Sequence, residues 1–265
     1  MSSAIHPTAI IDRTAEIGAD VIVGPYTVIE GNVVIGDGTT VGPHVMIGEY
    51  TNIGRRCRVF HGAAVGLIPQ DMKFKGEKTS LRIGDRTTIR EFCTLNRGTA
   101  ALGETVIGND CLLLAYSHVA HDCVLGDHVI VSNNLGMAGH VKVGNHVTIG
   151  GMCAIHQFTR IGDYAMIGAF SWIAQDVVPF ALTGSQPVRV ADVNKVKLER
   201  CGFSPERIQE VRRAFRILFR SKLNLAEAIQ SLVDGFPGNE DVRCIVEFAK
   251  KSERGILRMK NAEKL

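Results

Sequence analysis

The feature that most constrains this chain is a period of six. Stepping by six from Ile5 meets Ile11, Ile17, Val23, Ile29, Ile35, Val41, Ile47, Ile53, Val59 and Val65; the phase resumes at Ile83, Ile89 and Leu95, then runs from Ile107 to Ile173. Only Asp71, Glu77 and Ala101 interrupt it. A helix repeats its apolar face about every 3.6 residues and a strand every second one, so neither yields this pattern. Stacked short repeats do. Glycine often follows the aliphatic, as at Gly18, Gly36, Gly54, Gly108 and Gly144, and is expected to serve tight corners. Four residues after each aliphatic lies a second column, including Val21, Thr27, Val33, Thr39 and Val45, small or β-branched as strands inside a narrow tube require. The prediction is a mainly β fold, a parallel β-helix of hexapeptides. With three hexapeptides to a triangular coil, residues 18 apart stack at about 4.8 Å.

The same register accounts for most of the cysteines. Cys57, Cys93, Cys111, Cys123 and Cys153 all fall in the second inward column, and no CxxC pair exists. They read as small core residues, not as disulfides or a zinc site.

Two stretches leave the pattern and return to phase: "GLIPQDMKFKGEKTS", 66–80, and "GTAALGE", 98–104. Excursions from a rigid scaffold are where function concentrates. The first keeps Met72 and Phe74 among its charges, which argues against a merely disordered loop. After Asp176 the hexapeptide phase ends. Ser204 and Pro205 then read as the N-cap and first residue of a helix with apolar residues at Ile208, Val211, Phe215, Leu218 and Phe219. Two further helices are expected behind Asn224 and Asn239. The predicted organisation is a β-helix over 1–190 and a helical unit over 191–265. The first long helix carries Arg207, Arg212, Arg213, Arg216 and Arg220, followed by Lys222, either a solvated face or a surface for an acidic partner.

A net charge of +3 is too mild for a nucleic-acid binder unless concentrated. There is no basic-then-apolar leader and no apolar run long enough to span a membrane, which points to a soluble, cytoplasmic protein.

The histidines cluster in "HVAHDCVLGDHVIVSNNLGMAGHVKVG", 118–144. Counting 18 onward from His121 reaches Gly139, and from Asp122 reaches His140. A base, a carboxylate beside it and a backbone N–H without side-chain cover therefore meet on adjacent coils. Acyl transfer needs these parts: a general base, a group to orient it and a donor for the oxyanion. No serine or cysteine nucleophile is placed here by a recognisable motif, so direct attack of one substrate on an acyl donor is the economical chemistry. His6, His44, His128 and His146 read as surface residues. A zinc site built from His118, His121 and His140 is the rival reading, but it leaves the arginine-rich helix without a purpose. No metal and no cofactor are expected.

"HVAHDC", "MAGHVKVG", "GGMCAIHQF", "PQDMKF", "NRGT" and "VNKVKLERCGFS" together resemble the acyl-carrier-protein-dependent UDP-N-acetylglucosamine 3-O-acyltransferases, which open lipid A synthesis. The resemblance covers essentially the whole chain. It implies a left-handed β-helix, a homotrimer with active sites in clefts between subunits, and a 3-hydroxyacyl thioester on acyl carrier protein as donor. It also implies that His121 takes the proton from the sugar 3-hydroxyl, that Asp122 holds the His121 ring, and that the Gly139 N–H receives the oxyanion. Asp71 and Lys73 match sugar-contacting positions; His118, His140, His156 and Gln157 match cleft-lining ones; Asn194 and Arg200 match nucleotide-contacting ones. Ala169 matches the floor that limits acyl length, and an acidic carrier gives Arg212, Arg216 and Arg220 a docking role. Two departures stand out: Asn96 replaces a histidine common among relatives, and Cys201 replaces a second arginine. The first leaves a 3-amino sugar open as acceptor. Other hexapeptide acyl- or acetyltransferases, among them a related N-acyltransferase with an additional N-terminal domain, and a non-catalytic trimeric scaffold are the alternatives.

Overall fold

The structure, a computed structural model, describes residues 4–184 and 186–259. The outer ends of the two expected units, 1–3 and 260–265, lie outside the described residues. Residues 4–173 wind into a left-handed prism whose walls are three parallel sheets of short strands, here the first, second and third, with nine, nine and eight strands of this segment among the described residues. The expected register is present: Ile22 pairs with Thr40, Val28 with Met46 and His118 with Gly136, all eighteen apart. Val119, Met137 and Ile155 point inward and are buried, as is the second column through Val21, Thr27, Val33, Thr39 and Val45. All five cysteines of that column are buried and unpaired. Their thiols reach carbonyl oxygens of the next coil, Cys123 to Ala138 at 3.2 Å for one, and burial pushes the Cys123 thiol up to about 12.

The two excursions leave the prism without turning it. Across the first, Arg58 pairs with Thr88 and Ala64 with Thr94, thirty apart. Across the second, Thr88 pairs with Leu112 and Thr94 with His118, twenty-four apart.

The glycines serve a different purpose from the expected one. Gly36, Gly54 and Gly108 do not have a positive φ; a Cβ at Gly36 would lie 2.7 Å from the carbonyl carbon of Gly54. They are required by the close stacking of successive coils. The left-handed corner conformation falls two residues later, on side chains such as Asp20, Asn32, Tyr116, Asp122, His128, Asn134 and His140. Asp, Asn and His tolerate that region better than other residues. Rings at this position stack from coil to coil, with His128–His146 centroids 4.5 Å apart and His146–Tyr164 4.9 Å apart.

Beyond Ile173 the hexapeptide phase stops but the first sheet continues. Ala181–Gly184 adds to its edge, and Arg189–Val193 pairs antiparallel with that strand, so sheet structure runs past residue 190. Four helices follow among the described residues: α1 Lys195–Arg200, α2 Pro205–Arg220, α3 Leu225–Gly235 and α4 Glu240–Lys250. Ser204, Asn224 and Asn239 cap α2, α3 and α4 through their side chains, Asn224 in a reciprocal box with Glu227. The short α1 has no side-chain cap and no strong apolar period, which is why the sequence did not announce it. The chain then returns to the prism: Ser252 donates to Asp176, and the Leu257 N–H to the Asp176 carbonyl. No helix among the described residues is long and apolar enough to cross a membrane.

Candidate active site

The second and third sheets meet at a corner that gathers most of the predicted chemistry. His121 precedes the left-handed residue Asp122, and His140 occupies the equivalent left-handed place one coil on. The His121 Nδ1 lies 2.8 Å from Asp122 Oδ2. A carboxylate can only accept, so Nδ1 carries the proton and Nε2 is left as the basic atom. The ring of His121 lies against Gly139, where a Cβ would sit 2.6 Å from Cε1 and 2.8 Å from Nε2. The Gly139 carbonyl accepts the Phe158 N–H at 3.2 Å; its own N–H has no backbone acceptor among the described residues.

Asp122 is fully buried. Burial penalises its charge, yet hydrogen bonds from Thr99 and His121 outweigh that penalty and hold its carboxyl below the usual aspartate range. The donors come from the second excursion. Thr99 gives its hydroxyl to Oδ2 at 2.6 Å and its N–H to Oδ1 at 3.0 Å, and the Leu102 N–H adds a bond to Oδ1 at 3.3 Å. Thr105 receives the Asp122 N–H at 2.8 Å. Thr99 was not marked by the hexapeptide reading, because it sits in the stretch that breaks the phase.

The first excursion closes over the same corner. Asp71 caps its own turn by accepting the Lys73 N–H at 2.9 Å, and its other carboxylate oxygen stands 4.0 Å from His121 Nε2. That gap is too long for a hydrogen bond and faces the basic nitrogen. Lys73 is exposed. The base of the loop is fastened by the "NRGT" run: Asn96 donates to the carbonyls of Leu67 and Ile68, and the Arg97 N–H to that of Leu67. The Arg97 side chain is itself buried beneath Tyr50 and Phe74 and donates to the Glu49 carbonyl.

His118, His140, His156 and Gln157 surround this centre on neighbouring coils. Thr94 meets His118 Nδ1 at 2.7 Å, and burial followed by the nearby His121 depresses the His118 pKa. His140 stands edge-on to His121 at 5.2 Å, stacks on Phe158 at 4.7 Å, and is depressed mainly by burial. His156 gives its Nδ1–H to the Gln157 carbonyl at 2.9 Å and meets Trp172 edge-on. His121, Asp122 and His140 offer ligand atoms within 4.8 Å of one another, a set that could hold a metal ion. However, the carboxylate oxygen shared by both histidines already receives the His121 N–H and the Thr99 hydroxyl.

The remaining predicted residues lie elsewhere. Asn194 is buried at the corner between the third and first sheets, donating to the Tyr164 carbonyl at 2.8 Å, and Arg200 is exposed at the end of α1. Ala169 is exposed at the corner between the first and second sheets. Within one chain these residues do not join His121. On α2, Arg212 is not the free charge expected: it pairs with Asp192 at 3.0 Å. Arg220 donates to the Met259 sulfur at 3.2 Å, and Arg216 is exposed.

Corner chemistry on a prism of hexapeptides marks a transferase of the hexapeptide class, and the profile described as bacterial transferase hexapeptide (six repeats) matches residues 14–49 and 104–139. A second profile, described as UDP N-acetylglucosamine O-acyltransferase, domain 2, matches residues 176–257. Two curated relatives carry the name acyl-(acyl-carrier-protein)–UDP-N-acetylglucosamine O-acyltransferase. That of Paracidovorax citrulli is 51% identical over 97% of this chain and 100% of its own, and that of Xylella fastidiosa 47% identical over 97% and 98%. The crystal structure of the UDP-N-acetylglucosamine O-acyltransferase from Moraxella catarrhalis superposes with a TM-score of 0.92 at 42% identity, over 96% of this chain and 99% of that one. The chain belongs to the acyl-(acyl-carrier-protein)–UDP-N-acetylglucosamine O-acyltransferase family and is an acyltransferase.

Proposed function

We propose that this protein transfers a 3-hydroxyacyl chain from acyl carrier protein to the 3-hydroxyl of UDP-N-acetylglucosamine, the first step of lipid A synthesis, in the cytoplasm. The observation that carries the mechanism is the lock on His121: Nδ1–H held by Asp122, ring against Gly139, Nε2 facing the loop. Nε2 takes the proton of the sugar 3-hydroxyl as its oxygen attacks the thioester carbonyl. The Gly139 N–H faces the oxyanion of the tetrahedral intermediate. Collapse expels the carrier's thiolate, which takes the proton back from the imidazolium. Asp71 and Lys73 hold the sugar from the loop side, with His118, His140, His156 and Gln157 along the cleft.

The full site is shared between copies. Asn194 and Ala169 stand at other corners of the prism than His121, Arg200 lies at the end of α1, and a homotrimer brings unlike corners together. The corner between the first and second sheets supports such packing, with Tyr26, Phe92, Tyr116, Met152 and Phe170 exposed along its length. In this reading the β-helix, 1–190, provides the catalytic surface and the helical unit, 191–265, the nucleotide contacts and a docking face for the acidic carrier.

The test is a mass-spectrometric assay of UDP-N-acetylglucosamine with a panel of acyl-carrier-protein thioesters, run for wild type and His121→Ala. Loss of a general base lowers turnover on the order of 100-fold or more. A folded His121→Ala protein with near-normal turnover removes the mechanism. Activity that disappears with chelation and returns with zinc supports the metal reading instead.

A further inference from the structure

Most contacts between the 98–104 excursion and the solenoid corner converge on one carboxylate. Asp122 Oδ2 receives two donors, the His121 Nδ1–H at 2.8 Å and the Thr99 hydroxyl at 2.6 Å, while both oxygens of the group are shut away from water. Oδ1 is held independently by the Thr99 and Leu102 N–H groups. The hydroxyl of Thr99 also accepts the Ala101 N–H at 3.2 Å, and its single proton goes to Asp122, because a carboxylate can only accept. Two donors on one oxygen share its charge, and each weakens the other's bond to it.

We infer that Thr99 is a positioning residue that sets the basicity of His121 by competing with it for Asp122 Oδ2. The inference rests on the reading of His121 as the general base. Removing the hydroxyl leaves the two N–H bonds to Oδ1 in place, so the carboxylate keeps its position but offers more charge to the imidazolium. The base then binds its proton more tightly. Less of it is free at neutral pH, and nothing is lost once the pH is high enough to deprotonate it. The other charged or titratable groups facing the pair are Asp71, 4.0 Å from His121 Nε2, His140, 3.6 Å from Asp122 Oδ2, His118, and Lys142 beside His140. None of them is altered by a change at Thr99.

The experiment is the pH dependence of kcat/KM for the intact protein, with wild type, Thr99→Val and Thr99→Ser. In Thr99→Val the acidic limb moves to higher pH, giving a deficit of about three- to tenfold below neutrality that closes on the alkaline side. Thr99→Ser keeps the wild-type limb. An unshifted limb overturns the proposal, and so does a deficit of equal size at every pH, which is the mark of a loop that merely folds less well. His121→Ala, measured alongside, separates the two claims. If it retains activity, the base assignment itself has failed; if it is inactive while Thr99→Val matches wild type, only the role of Thr99 has.

Discussion

Gly139 has no side chain because the His121 ring occupies the place one would take. Its backbone is in an ordinary region, so alanine fits there conformationally and the whole cost falls on the ring contact. Gly139→Ala is expected to lower kcat at least tenfold with a small change in melting temperature, measured by steady-state kinetics beside a thermal melt. Retained kcat means that the ring has room the structure does not show. This neighbourhood was legible in the sequence, since eighteen residues separate His121 from Gly139 and a coil is eighteen residues long. The Thr99–Asp122 bond was not. It springs from a segment that has left the repeat, and no period predicts where a side chain there returns.

At the scale of elements, the caps of α2, α3 and α4 and their apolar faces could be read directly, because Ser204, Asn224 and Asn239 each precede a helical period. The charges on α2 could not. Helical spacing places Arg212, Arg216 and Arg220 along one side, but it cannot reveal that Asp192, on a strand the hexapeptide phase gave no hint of, pairs with the first. An ion pair already made contributes little to steering a partner. The docking reading therefore narrows to Arg216 and Arg220, the latter exposed and bonded only to the uncharged Met259 sulfur. Arg216→Glu should raise the KM for the acyl carrier protein several-fold, with the effect shrinking in high salt, and leave the KM for the UDP-sugar unchanged. Equal effects on both substrates, or none, make this helix face a solvated one.

The whole molecule was the easiest scale to foresee in outline and the hardest in assembly. A six-residue period specifies the prism, but nothing in one chain's period says which corners meet between copies. Ala169 is the residue through which that meeting can be examined. It is exposed at a corner away from His121, so it bears on acyl length only if the chain runs between subunits. Ala169→Met should shift donor preference toward shorter 3-hydroxyacyl chains without altering use of the UDP-sugar, since each methylene that loses apolar cover forfeits about 0.8 kcal/mol. An unchanged length profile in the same thioester panel moves the floor elsewhere, with Trp172, exposed beside His156, next to examine.

The way each excursion returns to register has a consequence for how such chains vary over time. Strand partners stand thirty apart across one excursion and twenty-four across the other, so the surplus in each is a whole number of repeats. A four-residue insertion absorbed into the winding would turn every later residue to another face and scatter the corner that holds His121, His140 and Gln157. Removal of one complete turn near the amino-terminal end would leave that corner untouched. The molecule is in this respect a screw thread: it can be cut shorter or longer by whole turns, and its working end notices only a fraction of one.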